Sequence, residues 1–146
     1  MNMPMNALLF VMTLATGLPA ANAADPAKIT VAEQSPFGAY LADSEGRSLY
    51  LFEADEAGKS TCYDACANAW PPFTTNGKPR AGKGIDADAL STLERADGTM
   101  QVTYHGWPLY YFIKDQAPGD TKGQDVEGFG AEWYLVTPGG EEVHAE

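Results

Sequence analysis

Apolar positions cluster most regularly in two short stretches of this chain, and the two stretches are nearly the same phrase. Leu49, Tyr50, Leu51 and Phe52 run on to Asp55, and Leu109, Tyr110, Tyr111 and Phe112 run on to Asp115. Successive side chains of a strand point to opposite faces. Leu49 and Leu51 therefore oppose Tyr50 and Phe52, while Leu109, Tyr111 and Ile113 oppose Tyr110 and Phe112. Both faces of each stretch are largely apolar, which predicts two central strands covered on both sides. A pattern L-Y-x-F-x-x-D present twice predicts two related structural units. Asp55 and Asp115 fall just past the strand ends, where a carboxylate accepts N–H bonds from the loop that follows.

The flanking patterns supply the remaining elements. Residues 38–42, a turn at 43–46 and residues 47–52 read as a β-hairpin. Residues 99–104, a His105-Gly106 turn and residues 107–113 read as a second one, with a further strand at 90–95 before the Asp97-Gly98 turn. Residues 61–70 predict a helix capped by Ser60 or Thr61, rich in alanine and ended by Pro71-Pro72, with Cys62 and Cys66 on one face. Residues 86–90 add a helical turn and residues 133–136 a final strand. Residues 24–37, with two prolines, read as a lead-in holding at most a short strand at 29–32. Residues 74–84 read as an exposed loop and residues 138–146 as a frayed acidic tail. The expected fold is mainly β: a compact antiparallel domain over residues 38–140, built from two related units at about 38–72 and 95–137, with one or two short helices and an acidic tail at 141–146.

Composition alters this picture at the N-terminus first. Residues 7–18 form an apolar run of signal-peptide length, and Ala21-Asn22-Ala23 is a small-x-small cleavage site, so residues 1–23 read as a signal peptide removed near Ala23. The run is short for a membrane span, which needs roughly 20 apolar residues. With no cysteine near the cleavage site, neither a membrane span nor a lipid anchor is predicted in the mature chain, which is expected in the periplasm or outside the cell. The leader carries no charged residue, so the formal charge of −11 belongs to the mature domain. That charge disfavours nucleic acid and anionic lipid, which bind through clusters of Lys and Arg. Of five methionines only Met100 survives cleavage, which excludes a methionine-rich copper site.

Candidate chemistry is sparse. Cys62 and Cys66 are the only two cysteines and would lie in an oxidising compartment, where a local disulfide is expected. The C-x3-C spacing leaves open a redox-active dithiol or a ligated metal or haem, though no second Cys/His pair or C-x-x-C-H accompanies it. Gly58-Lys59-Ser60-Thr61 resembles the end of a phosphate-binding loop, but Glu53 stands where that loop needs its first glycine. Asp115, Asp120, Asp125 and Glu127 share one Gly-rich loop without EF-hand spacing. His105 sits in a turn and His144 in the tail, with no register between them. No catalytic, metal or cofactor site is predicted. The aromatic residues of the second half fit a β core, or a groove for a glycan, quinone or peptide.

The doubled L-Y-x-F-x-x-D, the block from Gly58 to Pro72, the block from Arg95 to Phe112, and Pro118-Gly119-Asp120-Thr121 with Trp133-Tyr134 together resemble the bacterial "secreted repeat of unknown function", predicted lipoproteins with a Yx(F/W/Y)xxD motif. The resemblance covers about residues 38–140. It implies an exported cell-envelope protein of two repeat units, in which Leu49, Tyr50, Phe52, Asp55, Leu109, Tyr110, Phe112 and Asp115 carry the family motif. It implies no activity and no cofactor. The expected function is a non-enzymatic binding or structural module with an envelope partner or small ligand; the alternative is a periplasmic redox or electron-transfer accessory using Cys62/Cys66 or a bound cofactor.

Overall fold

A computed structural model describes residues 25–145; the signal peptide and cleavage site expected at residues 1–23 lie outside this range. An antiparallel hairpin in the first unit and a three-stranded meander in the second organise the chain. The first pairs β1 (Lys28–Gln34) antiparallel with β2 (Gly38–Asp43). The chain then meets β2 at an isolated bridge between Ala42 and Ser48 before β3 (Tyr50–Phe52), which belongs to another sheet. The lead-in is thus a full strand. Pro26 and Pro36 flank β1 rather than interrupt it, as proline's missing N–H requires, and the alternation of Ile29 and Val31 with polar neighbours fills it. The expected hairpin of residues 38–42 with 47–52 shrinks to a turn. The main partner of β2 is β1, and that of β3 is a strand from the far end of the chain.

The second unit extends this plan. α1 (Ala65–Ala69) and the two-residue β4 (Arg80–Ala81), which pairs parallel with β1, precede a 3-10 turn at Ala87–Ala89. β5 (Leu90–Glu94) then pairs antiparallel with β6 (Met100–Tyr104), and β6 with the short β7 (Trp107–Pro108). β8 (Val126–Gly128) and β9 (Ala131–Leu135) form a hairpin whose second strand pairs with β3. The three sheets run β2-β1-β4, β3-β9-β8 and β5-β6-β7. All pairings but β1–β4 are antiparallel, and the fold is mainly β, as expected. The strand expected over residues 107–113 is regular only at its start. Beyond it, Tyr110 bridges both Tyr50 and Pro72, and Ile113, expected inside with Leu109 and Tyr111, is 60% exposed because the chain leaves the core there.

The helix is shorter than its pattern. Residues 60–64 are tied to the core instead of winding: Asp55 holds both the N–H and the hydroxyl of Thr61, Ser60 accepts from the Cys62 N–H, and Asp64 has φ 55°. Asp64 is the N-cap residue, without a side-chain capping bond; neither Ser60 nor Thr61 caps the helix, and Cys62 lies before it. The segment expected to fray is docked. Glu142 bridges Val136, the Val143 N–H donates to Leu135, and the Val143 side chain is buried.

The two faces read from the repeated phrase are two separate cores. Leu49, Leu51 and Leu109 pack with Ile29, Leu41, Phe73, Val102, Tyr104, Tyr134 and Val136. Tyr50, Phe52, Tyr110 and Phe112 pack with Trp70, Trp133, Leu135 and the two cysteines. Burying a large side chain of this kind contributes roughly 1.5–3 kcal/mol, so the phrase anchors the domain on both of its sides.

Candidate functional site

The repeated tyrosines and aspartates come together across the boundary between the units. Tyr50 and Tyr110 lie side by side, each N–H donating to the other's carbonyl at 2.9 and 3.0 Å. Each hydroxyl then reaches the aspartate of the opposite unit. Tyr50 donates to Asp115 Oδ2 at 2.6 Å, and Tyr110 donates to Asp55 Oδ2 at 2.6 Å. The other carboxylate oxygen holds the loop that follows: Asp55 Oδ1 accepts the Thr61 N–H at 2.7 Å, and Asp115 Oδ1 accepts the Lys122 N–H at 2.9 Å. The loop-holding geometry expected of the aspartates is present; the exchange of tyrosines between units is not readable from one strand's periodicity.

Beneath these pairs lies a column of four aromatic rings. Phe52 stacks on Trp133 at 4.0 Å, Trp133 on Trp70 at 3.9 Å, and Trp70 on Phe112 at 4.0 Å. Tyr50 meets Trp70 edge-on at 5.5 Å and Tyr110 meets Trp133 edge-on at 5.1 Å, an arrangement favoured by the ring quadrupoles. Gly123 closes one end. A Cβ there would stand 2.7 Å from the Tyr50 ring and 2.9 Å from Trp70, so only glycine lets its N–H reach the Tyr50 hydroxyl at 3.1 Å.

The first unit's aspartate has a richer setting. Ser60 donates to the Tyr110 oxygen at 2.5 Å and accepts from Arg95 Nη1 at 3.0 Å. Arg95 is 5% exposed. It also donates to Gln101 Oε1 at 2.8 Å and to the Cys62 carbonyl at 2.5 Å, and its guanidinium lies 4.4 Å from the Tyr63 ring centroid. Cys62 and Cys66 form a disulfide with a Cα–Cα distance of 5.2 Å, wholly or nearly buried against the aromatic column. Sequence reasoning misses Arg95 and Ser60 as partners of the motif. The only signal is an arginine at the end of an otherwise half-buried strand.

Electrostatics hold these groups in their resting forms. Burial pushes the Tyr50 and Tyr110 hydroxyls well up, and the facing carboxylates push in the same direction. Burial also raises Asp55 and Asp115, against the lowering effect of their tyrosine bonds and loop N–H groups. A tyrosine so shifted keeps its proton, and the Ser60–Tyr110–Asp55 chain is a set of satisfied bonds. Among the described residues no buried side-chain nitrogen or oxygen lacks a partner. Nor is any group of three or more His, Cys, Asp and Glu among them placed to hold a metal ion. Two carboxylates of the second loop have structural tasks: Asp115 accepts the Lys122 N–H, and Asp120 accepts the Gln116 and Ala117 N–H groups.

An open cleft of about 600 Å³ lies between the start of β1, the β2–β3 turn, residues 73–76 and the β5–β6 turn. Asp43, 8% exposed, lines it, accepting from the Glu45 and Arg47 N–H groups and from the Tyr111 hydroxyl at 2.8 Å. Asp25, Glu45, Lys28 and Met100 complete its charged and apolar walls.

The fold and its interior define a class: a two-unit β protein in which each unit completes the other and the signature residues bind each other. Its membership is direct. The model for the family described as "secreted repeat of unknown function" matches residues 32–74 and 91–137, more than half of the chain, and this chain belongs to that family. The first matched segment runs from within β1 past β3 and α1, and the second from within β5 past β9. No curated protein and no solved structure matches the chain. No helix among the described residues is long and apolar enough to cross a membrane.

Proposed function

We propose that this protein is an exported, non-enzymatic binding or structural module of the cell envelope, periplasmic or released after cleavage near Ala23, that holds a partner or small ligand in the cleft between its units. One observation carries the reading: the Tyr and Asp groups of both motifs are bonded to each other, whereas polar groups of both units converge on the open cleft. Clefts of several hundred Å³ with a few fixed polar groups are the usual form of a small-ligand site. Asp25, Asp43 and Glu45 against Lys28 favour a polar ligand bearing positive charge, with Tyr111 and Met100 offering apolar contact. Burial of the disulfide supports a structural staple over a redox pair.

Two measurements on protein purified from its own envelope test this reading. Titration of Cys62–Cys66 against a dithiol couple should place its potential below about −300 mV, the range of structural disulfides. Native mass spectrometry should find a bound small molecule that is lost in Asp25→Asn/Glu45→Gln protein of unchanged thermal stability. A pair that is reduced and reoxidised near about −200 mV, or a retained chromophore, would support the redox accessory instead.

A further inference from the structure

The boundary between the units is self-complementary. A two-fold interface is recognised when residue i of one half contacts residue j of the other and j contacts i in return; the backbone pairs, crossed hydroxyls and stacked rings of this boundary do so, whereas the Arg95 bonds to Ser60 and Cys62 and the Tyr111 bond to Asp43 occur once. Besides the paired backbones and crossed hydroxyls of Tyr50 and Tyr110, the Gly58 N–H of unit one donates to Gly106 of unit two at 2.8 Å, and the Gly119 N–H of unit two donates to Gly46 of unit one at 3.2 Å. The Val102 N–H donates to Phe73 at 2.8 Å, and the Leu41 N–H donates to Val136 at 2.9 Å. Each unit's closing segment, 70–73 in one and 133–136 in the other, thus pairs with the opposite unit, the first through an isolated bridge and the second through β9. The four stacked rings are shared in the same way, two from each unit.

The covalent link across this interface is short. Ala81 is still paired with β1 and the Gly82 N–H donates to Ile29 in the first unit, whereas the Asp86 N–H donates to the Tyr104 hydroxyl in the second. Only residues 83–85 lie between these two anchors, with Gly84 at φ 86° making the turn. An interface of this kind does not require that both halves belong to one chain. Exchanging an identical element between copies keeps every contact and changes only the connector.

We propose that the inter-unit surface is also a pairing surface between two copies of this chain, in which unit one of each copy accepts unit two of the other to form a closed, exchanged dimer. Tethering gives the intramolecular pairing an effective concentration in the millimolar range for a short connector, so the chain is a monomer when dilute. Exchange is reached at high local concentration, as on a crowded envelope surface. The dimer would carry two complete inter-unit boundaries, hence two of every cleft.

Two arms test this on the full chain with its disulfide intact. The wild-type protein is refolded from denaturant at about 10 μM and about 1 mM and followed by size-exclusion chromatography with light scattering. In the second arm Lys83 and Gly84 are deleted, which removes roughly 7 Å of reach at ~3.3–3.6 Å per residue. Exchange predicts a dimer fraction at least tenfold larger at the higher concentration, persisting on dilution with the monomer's near-ultraviolet spectrum, and a deletion variant that is chiefly dimeric. A deletion variant that folds as a monomer overturns the proposal. If the deletion variant does not fold, the wild-type arm decides alone, and refolding at 1 mM to monomer only overturns it equally.

Discussion

The two tyrosine–aspartate sites share a motif, a geometry and a 2.6 Å bond, yet they are held by different means. Around Asp115 the supporting groups are backbone: the Lys122 N–H on the carboxylate and the Gly123 N–H on the Tyr50 hydroxyl. Around Asp55 the Thr61 N–H is joined by side chains: the Thr61 hydroxyl on the carboxylate, Ser60 on the Tyr110 oxygen, Arg95 on Ser60, and behind them Gln101 and the disulfide-bearing segment. One site depends on a glycine that lets the main chain approach; the other depends on a buried cation. A repeated motif therefore fixes what meets what, while the residues between the copies fix how strongly each meeting is held.

The largest effect should follow from removing the cation. Arg95→Met deletes the donor to Ser60, Gln101 and the Cys62 carbonyl, leaving acceptors buried without partners at a cost of about 3 kcal/mol. Urea unfolding of the variant checks this, with Lys122→Met as the contrasting change, since in unit two Lys122 bonds Asp115 through its backbone N–H and its ammonium acts only as an exposed charge; that substitution should cost under ~0.5 kcal/mol. Equal losses in the two variants would erase the proposed difference between the sites. The hydroxyls come next. Tyr110→Phe leaves both Asp55, 6% exposed, and Ser60 short of a partner, for about 2–3 kcal/mol, while Tyr50→Phe should cost about 1–2 kcal/mol because Asp115 can recover water. A larger loss for Tyr50→Phe would reverse the ranking.

Removing the staple tests the same site from behind. Cys62→Ala/Cys66→Ala should cost about 2 kcal/mol by the entropy of so short a loop. Combined with Arg95→Met, the loss should fall short of the sum of the two separate losses, because both act on residues 60–66 and neighbouring sites couple. Strict additivity would show that the disulfide and the arginine stabilise different things.

Much of this arrangement is legible in the amino-acid sequence alone. Two units, two covered strands and two aspartates holding loops follow from alternation and from carboxylate chemistry, which are local properties. The exchange between units is not legible, because a strand's periodicity states which face is buried and not whose strand covers it. Trp70 reads only as the end of a helix and Trp133 as the start of a strand, although they stack at 3.9 Å. Residues 61–64 carry helical residue types, but Asp55, Ser60 and Arg95 compete for their backbone and win. Pro26 and Pro36 make the N-terminal segment look irregular, yet both fall outside β1 and cost it no ladder bond. The charges of the acidic end point to solvent, whereas Val143, a single apolar residue, decides that it docks.

The smallest effect, and the most specific to the comparison, is the response to pH. Asp55 and Asp115 both titrate above the ordinary aspartate value, burial being the main cause. For such groups the native state binds protons more readily than the unfolded chain, so their contribution to stability is present at low pH and is lost as pH rises through the native value. The opposite holds for Asp97 and Asp120, lowered mainly by the Thr99 side-chain bond in one case and the Gln116 N–H in the other; their contribution is present above about pH 3.9 and lost below it. Asp55 is the more deeply buried of the two raised carboxylates. Between pH 7 and about 4, Asp55→Asn should therefore flatten the pH dependence of the unfolding free energy more than Asp115→Asn does, and below about pH 3.9 Asp120→Asn should remove part of the loss of stability. Urea midpoints at each pH for the three variants measure this directly. If Asp115→Asn flattened the curve more than Asp55→Asn, burial could not be the cause that separates the two sites.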